Sequence, residues 1–183
     1  MNGPGKIPHP IPYQGSKRQI ATEILRYFPN RIPRLVEPFA GSAAISLAVA
    51  NQRRAAKYWI NDAHRPLVEL WRAILDEPAK LSGRYRRLWN EQSGREREYF
   101  DLVRTRFNET HRPEDFLYLL ARCVKAVVRY NANGDFNNTP DNRRKGAKPT
   151  EMERRIRGAS SLLAGKTALT AWDYKKVLAK CNG

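Results

Sequence analysis

The chain has 183 residues, of which 41% are hydrophobic and 10% aromatic, enough apolar content for a core and too much for a disordered polycation. Lys plus Arg is 34 and Asp plus Glu is 18, a formal net charge of +16, which attracts phosphate backbones. The longest apolar run, Ala43 to Ala50, is broken by Ser46 and is too short to span a bilayer; the Pro-rich start lacks an apolar signal core; Cys123 and Cys181 make no disulfide framework; and His9, His64 and His111 lack ligand spacing. These features predict a cytoplasmic globular protein with a polyanionic partner, no membrane association and no metal.

Residues 1–12, rich in Pro and Gly, predict an irregular arm. Over residues 16–28, Ile20, Ile24, Leu25 and Phe28 recur at helical spacing, with Ser16 as N-cap and Pro29 as the stop. Arg34 to Glu37 predicts a short buried strand. Phe39 to Ser42 predicts a turn, and Ala43 to Ala50 a small-residue helix packed on a sheet. Lys57 to Ile60 predicts a second strand ended by Asn61 and Asp62. Pro66 then opens a helix through Leu67–Leu75. Helix, strand, helix, strand, helix is the start of an α/β fold with a parallel sheet.

From about residue 76 to 165 the pattern becomes helical and basic, with helices predicted at 80–90, 95–107 and 113–129, and another from Thr150 to Leu163. Between the last two lies a loop rich in Asn, Gly and Pro. This block reads as an insertion. Thr167 to Ala171 returns as a strand, followed by a helix to Lys180. Arg clusters punctuate the block, notably Arg84–Arg86–Arg87, Arg143–Arg144–Lys145 and Arg154–Arg155–Arg157. Arg grips phosphate through a bidentate fork, although alternation with Glu predicts ordinary surface ion pairs for some. Trp59, Trp71, Trp89 and Phe100 are expected in the core. Asn133-Gly134 is a strong hairpin-turn signal in its own right.

In open α/β sheets, ligands bind beyond the carboxyl ends of the strands. Here those ends carry Glu37-Pro38-Phe39-Ala40-Gly41-Ser42, then Asp62, then Asp173. The first is neither a dinucleotide fingerprint nor a P-loop, so a ligand without a pyrophosphate is expected. A carboxylate at Asp62 can accept both hydroxyls of a ribose, and one at Asp173 can accept from an exocyclic amine. Together they describe a nucleoside-type cofactor. Each acid alone is better explained as a cap at a strand–helix turn.

These residues together resemble the Dam-type (D12 class) adenine-N6 DNA methyltransferases. Tyr13-Gln14-Gly15-Ser16-Lys17 is similar to that family's N-terminal cofactor motif, and Leu35 to Ser42 to its S-adenosyl-L-methionine motif. Asn61-Asp62 with Pro66-Leu67 resembles its ribose-binding strand end. Phe116 to Leu119, then Arg129-Tyr130-Asn131, Gly134, Phe136-Asn137 and Pro140, resembles its target-recognition segment. Thr170 to Tyr174 resembles the strand before its catalytic motif. The resemblance implies a partial Rossmann-like, S-adenosylmethionine-dependent methyltransferase sheet with an inserted helical DNA-recognition subdomain. Residues 1–75 and 166–183 would form the methyltransferase part, and 76–165 the target-recognition insertion.

It further implies a cofactor set of Tyr13, Gln14, Gly15, Lys17, Glu37, Pro38, Phe39, Gly41, Ser42, Asp62, Asp173 and Tyr174. Asp62 would hold the ribose, and Asp173 with Tyr174 would read adenine. Arg129 matches the residue with which relatives read a guanine, and Arg is the commonest reader of guanine O6 and N7. Asn131, Asn133 and Asn137 would join it at double-stranded DNA, with Arg143, Arg144 and Lys145 on phosphates. Val124 stands five residues before Arg129, where close relatives carry an aromatic wedge, so no target sequence is implied.

The family's catalytic motif, Asp/Asn-Pro-Pro-Tyr/Phe, is missing: the sequence has no Pro-Pro pair. That motif accepts the N6 hydrogen bonds of a flipped adenine and stacks on its ring. Without it no residue of this chain is a catalytic candidate. The expectation is a subunit of a split enzyme, restriction-modification in type, with the catalytic motif on a second protein chain. The alternatives are an inert truncation and a non-catalytic DNA-binding or regulatory protein.

Overall fold

The structure, a computed structural model, describes residues 6–181. Three strands, β1 (Ile32–Glu37), β2 (Ala55–Asn61) and β3 (Thr167–Thr170), form a parallel sheet in the order β1-β2-β3. In register, Leu35 stands beside Tyr58 and Val36 beside Trp59, while Tyr58 stands beside Thr167 and Asn61 beside Thr170. Among the described residues eight α-helices accompany them: α1 (Ala21–Ile24), α2 (Ala44–Asn51), α3 (Arg65–Asp76), α4 (Pro78–Glu91), α5 (Glu96–Thr110), α6 (Pro113–Arg122), α7 (Pro149–Leu163) and α8 (Tyr174–Cys181). The parallel sheet with a large helical insertion before its third strand is the architecture the resemblance implies.

The Ala-rich α2 crosses from β1 to β2, and its small side chains let it lie close to both strands and to α7. The whole helical block, α3 to α7, crosses from β2 to β3. Within it α4 packs on α6 and α7, α3 on the same two helices, and α5 on α6. One buried apolar cluster runs from Leu35 and Ile60 of the sheet through Trp71 to Phe100, Phe116 and Phe136. The insertion therefore shares its core with the sheet. The arm packs too: a Cβ at Gly158 of α7 would lie 3.0 Å from the Pro8 side chain, so a larger residue there would push the arm away. Residues 1–5 of the predicted arm lie outside the described residues.

One sheet face looks into that core. On the other, Trp59 is covered by Arg34, whose guanidinium lies 5.6 Å over its ring, and by Trp172 edge-on at 5.8 Å. Trp71 and Phe100 are in the core as expected, and Trp89 packs at its margin.

Two predicted helices are corrected. Residues 16–28 form two 3-10 turns, Lys17–Gln19 and Leu25–Tyr27, around the single turn α1. Ser16 makes no capping bond with its side chain, because its hydroxyl sits 2.6 Å from that of Ser42. The helix expected to reach residue 129 stops at Arg122. Beyond it Lys125 and Ala126 take positive φ (56° and 50°), and the backbone turns to other partners. Val124 donates to the Thr139 carbonyl and Asp141 to that of Arg122. Bridges Cys123–Pro140 and Tyr130–Phe136 complete a hairpin-like loop that begins well before the predicted Asn-rich stretch.

Candidate functional site

The carboxyl ends of the three strands are tied together by one side chain. Asn61, fully buried, donates through Nδ2 to the carbonyls of Pro38 and Trp172, both at 2.9 Å. Its Oδ1 accepts from the Thr170 hydroxyl at 2.7 Å and the Trp172 amide at 2.9 Å. Both donors and both lone pairs of the amide are used, each on a neighbouring strand end. The turns after β1, β2 and β3 are thus held side by side.

Into this junction folds the Tyr13–Lys17 loop. Tyr13, Gln14, Gly15, Lys17, Glu37, Phe39, Gly41 and Ser42 line one cavity of about 110 Å³. A Cβ on Gly41, at φ 52°, would stand 3.3 Å from the Tyr13 ring, so only glycine allows that ring to close over the turn without displacement. Trp71 fixes the same turn by donating from Nε1 to the Gly41 carbonyl at 3.0 Å. Glu37 lies under the first turn of α2 and accepts from the Ser46 amide (3.0 Å) and hydroxyl (2.5 Å). Burial outweighs those two bonds and pushes its carboxyl up to about 6, with Asp62 adding a smaller push. No salt bridge neutralises Glu37 among the described residues, so a positively charged ligand group would find a part-buried acid without a cationic partner there.

Asp62 sits at the rim. Its Oδ2 accepts the Gly41 amide at 2.9 Å and its Oδ1 the His64 amide at 3.0 Å. Asp173 accepts the Lys175 amide at 2.9 Å, at the start of α8. Both acids therefore serve as local caps. A carboxylate has about four acceptor sites, so each retains lone pairs for a ligand. Beside Asp173, the Tyr174 ring lies 5.0 Å from that of Phe39, and Phe39 is 71% exposed. An exposed aromatic pair next to two carboxylates and a buried acid fits a nucleoside carrying a cation.

The recognition segment abuts the crevice. The Gln14 amide donates to the Ala126 carbonyl at 3.0 Å. Arg129 is exposed, with its amide fixed by Asn138 Oδ1 at 2.9 Å, and lines a cavity of about 360 Å³ with Val124, Lys125 and Asn137. The hairpin turn forms as the Asn-Gly signal suggested. Asn131 Oδ1 accepts the amides of Asn133 and Asp135, and Gly134 takes φ 84°. Asn131 is thereby engaged in shaping the tip. Arg143 and Arg144 lie 3.7 and 3.6 Å from Asp141, and Lys145 lies 2.6 Å from Glu96. The arginines are 91% and 77% exposed and remain open to phosphate.

The contacts of three residues, Asn61, His64 and Tyr130, leave no trace in the sequence. Asn61 was read only as part of a strand end. His64 and Tyr130 come together with their Nε2 and Oη atoms 2.5 Å apart, beside a cavity of about 670 Å³ that Arg65, Glu69 and His111 also line. Their separation of 66 positions leaves no local signal.

Residues 13–183 match the family model for D12 class N6 adenine-specific DNA methyltransferases. The chain belongs to this family. Among curated proteins it is 32% identical over 133 residues to the retron Ec67 DNA adenine methylase of Escherichia coli, covering 69% of this chain and 44% of that protein. It is 29% identical over 133 residues to the DNA N-6-adenine-methyltransferase of Escherichia phage P1, covering 68% of this chain and 16% of that one. The type II methyltransferase M.MjaIII of Methanocaldococcus jannaschii is 25% identical over 169 residues, covering 84% and 58%. The chain thus matches less than half of the length of the first two. S-adenosylmethionine dependence is typical of the D12 class, and the crevice chemistry fits that cofactor. Among the described residues, no helix is long and apolar enough to cross a membrane.

Proposed function

We propose that this D12-class chain binds S-adenosyl-L-methionine at the strand-end crevice and reads duplex DNA with the Cys123–Asp141 hairpin, as part of a DNA adenine-N6 methyltransferase. The observation that carries the reading is the Asn61 junction, which holds side by side the three strand ends that Glu37, Asp62 and Asp173 adjoin. The cofactor would supply a methyl group on a sulfonium. Glu37 and the Tyr13–Lys17 loop would hold the methionine end, Asp62 would accept from the ribose hydroxyls, and Asp173 with Tyr174 would read the adenine. Arg129 would reach a guanine, with Asn133 and Asn137 nearby and Arg143, Arg144 and Lys145 on phosphates. The division at residues 75 and 165 separates these two duties.

No Pro-Pro pair occurs among these 183 residues, so the groups that accept the target amine's hydrogen bonds would lie outside them, and the split reading puts them on a second polypeptide. Among the described residues β1 is an edge strand, a template on which the missing strands could pair under the split reading. Co-expression with a polypeptide bearing Asp/Asn-Pro-Pro-Tyr/Phe, followed by a duplex-DNA methyl-transfer assay, tests it. Activity that neither chain shows alone is expected. The same missing motif favours a second reading, a non-catalytic DNA-binding protein. Under it, calorimetry would detect duplex DNA but no S-adenosylmethionine, with or without the second polypeptide.

A further inference from the structure

Five contacts close a ring between the crevice and the hairpin. Asp62 Oδ1 holds the His64 amide at 3.0 Å, and the His64 imidazole meets the Tyr130 hydroxyl. Tyr130 adjoins Arg129 in the chain. On the other side, the Gln14 amide grips the Ala126 carbonyl, three residues before Arg129. Tyr13, next to Gln14, lies against Gly41, whose amide returns to Asp62 Oδ2 at 2.9 Å. The hairpin is therefore held at both ends of Val127–Arg129 by residues that also shape the crevice.

The two grips differ. The Gln14 link is backbone to backbone. The His64 link is made by side chains beside a cavity of about 670 Å³ that both line, so Tyr130 has room to leave. The His64 ring also packs on Phe116 and Tyr130, each 5.4 Å away between centroids. Burial lowers the His64 pKa and pushes the Tyr130 hydroxyl up to about 12. A neutral imidazole facing an un-ionised phenol is an ordinary hydrogen bond that can break without separating charge. His64 Nδ1 is buried with no hydrogen-bond partner among the described residues, so the ring's place depends on Nε2 and on packing.

We propose that His64 is a positioning residue coupling the two sites: a ribose held by Asp62 fixes His64, which holds Tyr130, and so Arg129, in the orientation that meets duplex DNA. The inference rests on the function proposed above. Coupling is reciprocal, so DNA must tighten cofactor binding by the same factor as cofactor tightens DNA binding.

The test is calorimetry of S-adenosylmethionine binding to the full chain, with and without a long mixed-sequence duplex that contains every short site. The unsubstituted chain should bind the cofactor about five- to tenfold more tightly with duplex present. Tyr130→Phe keeps the ring and loses only the hydroxyl; it should bring that ratio to about one while leaving cofactor affinity without DNA within about twofold. His64→Ala should do the same and the double variant no more, while His64→Gln, which retains a side-chain donor, should recover part of the ratio. An unchanged ratio in Tyr130→Phe, or losses that add in the double variant, would overturn the coupling. An unsubstituted chain that binds both ligands independently overturns the coupling alone. One that binds neither overturns the proposed function and this inference with it.

Discussion

Asp62 Oδ2 accepts the Gly41 amide at 2.9 Å, so the acid after β2 shapes the turn after β1. Its capping role and its proposed ribose role separate experimentally. Asp62→Ala should cost about 1 kcal/mol of stability in chemical denaturation, the value of a lost cap. It should weaken S-adenosylmethionine binding about tenfold or more in calorimetry, as expected for a lost charged acceptor. A stability loss with undiminished affinity would leave Asp62 as a cap alone.

Asn61 is the structural centre of the crevice. Asn61→Ala strands the Pro38 and Trp172 carbonyls and the Trp172 amide at the strand ends. Unfolding free energy should fall by about 2–4 kcal/mol in urea titrations, because buried polar groups are left without partners. A loss below about 0.5 kcal/mol, the range of ordinary surface changes, would contradict the assigned network.

Glu37 should make cofactor binding pH-dependent. Its folded pKa is raised from 4.5 to about 6, first by burial. A raised carboxyl contributes stability that is fully present below 4.5 and is lost as pH rises through 6. The ligand-free chain should therefore lose about 2 kcal/mol across that window. A cationic ligand group beside Glu37 favours the ionised form, so S-adenosylmethionine affinity should rise from pH 5 to 7 with proton release. Glu37→Gln should flatten both profiles, measured by calorimetry in buffers of different ionisation enthalpy.

Arg129 and the Arg143–Arg144 pair should fail differently. Arg129→Ala should cost about 1–3 kcal/mol against the preferred sequence and little against others, read by competition with a randomised duplex pool. Arg143→Ala and Arg144→Ala should weaken all sequences alike and reduce the slope of log K against log salt by about one each, measured by fluorescence anisotropy.

The succession of strands and helices, the helical character of the insertion and the crevice turns were legible because each leaves a local trace. Periodic apolar residues mark α3, α4 and α7, and Glu37-Pro38-Phe39-Ala40-Gly41-Ser42 and Asn61-Asp62 stand contiguous at strand ends. The stop of α6 at Arg122 was not legible, since Val124 to Arg129 carries no Gly or Pro and its non-helical course is set by partners at Asn138, Thr139 and Asp141. The use of Ser16 against Ser42 rather than as a cap was hidden for the same reason.

Composition and local pattern alone determined the parallel α/β start, the basic insertion, the family likeness and the lack of a Pro-Pro pair, because these depend on residue type and short spacing. Tertiary structure alone decided that Asn61 joins three strand ends, that Glu37 is a part-buried acid without a cationic partner among the described residues, and that His64 meets Tyr130. Each is a hydrogen bond or a loss of solvent between segments far apart in the chain, and neither has a sequence period.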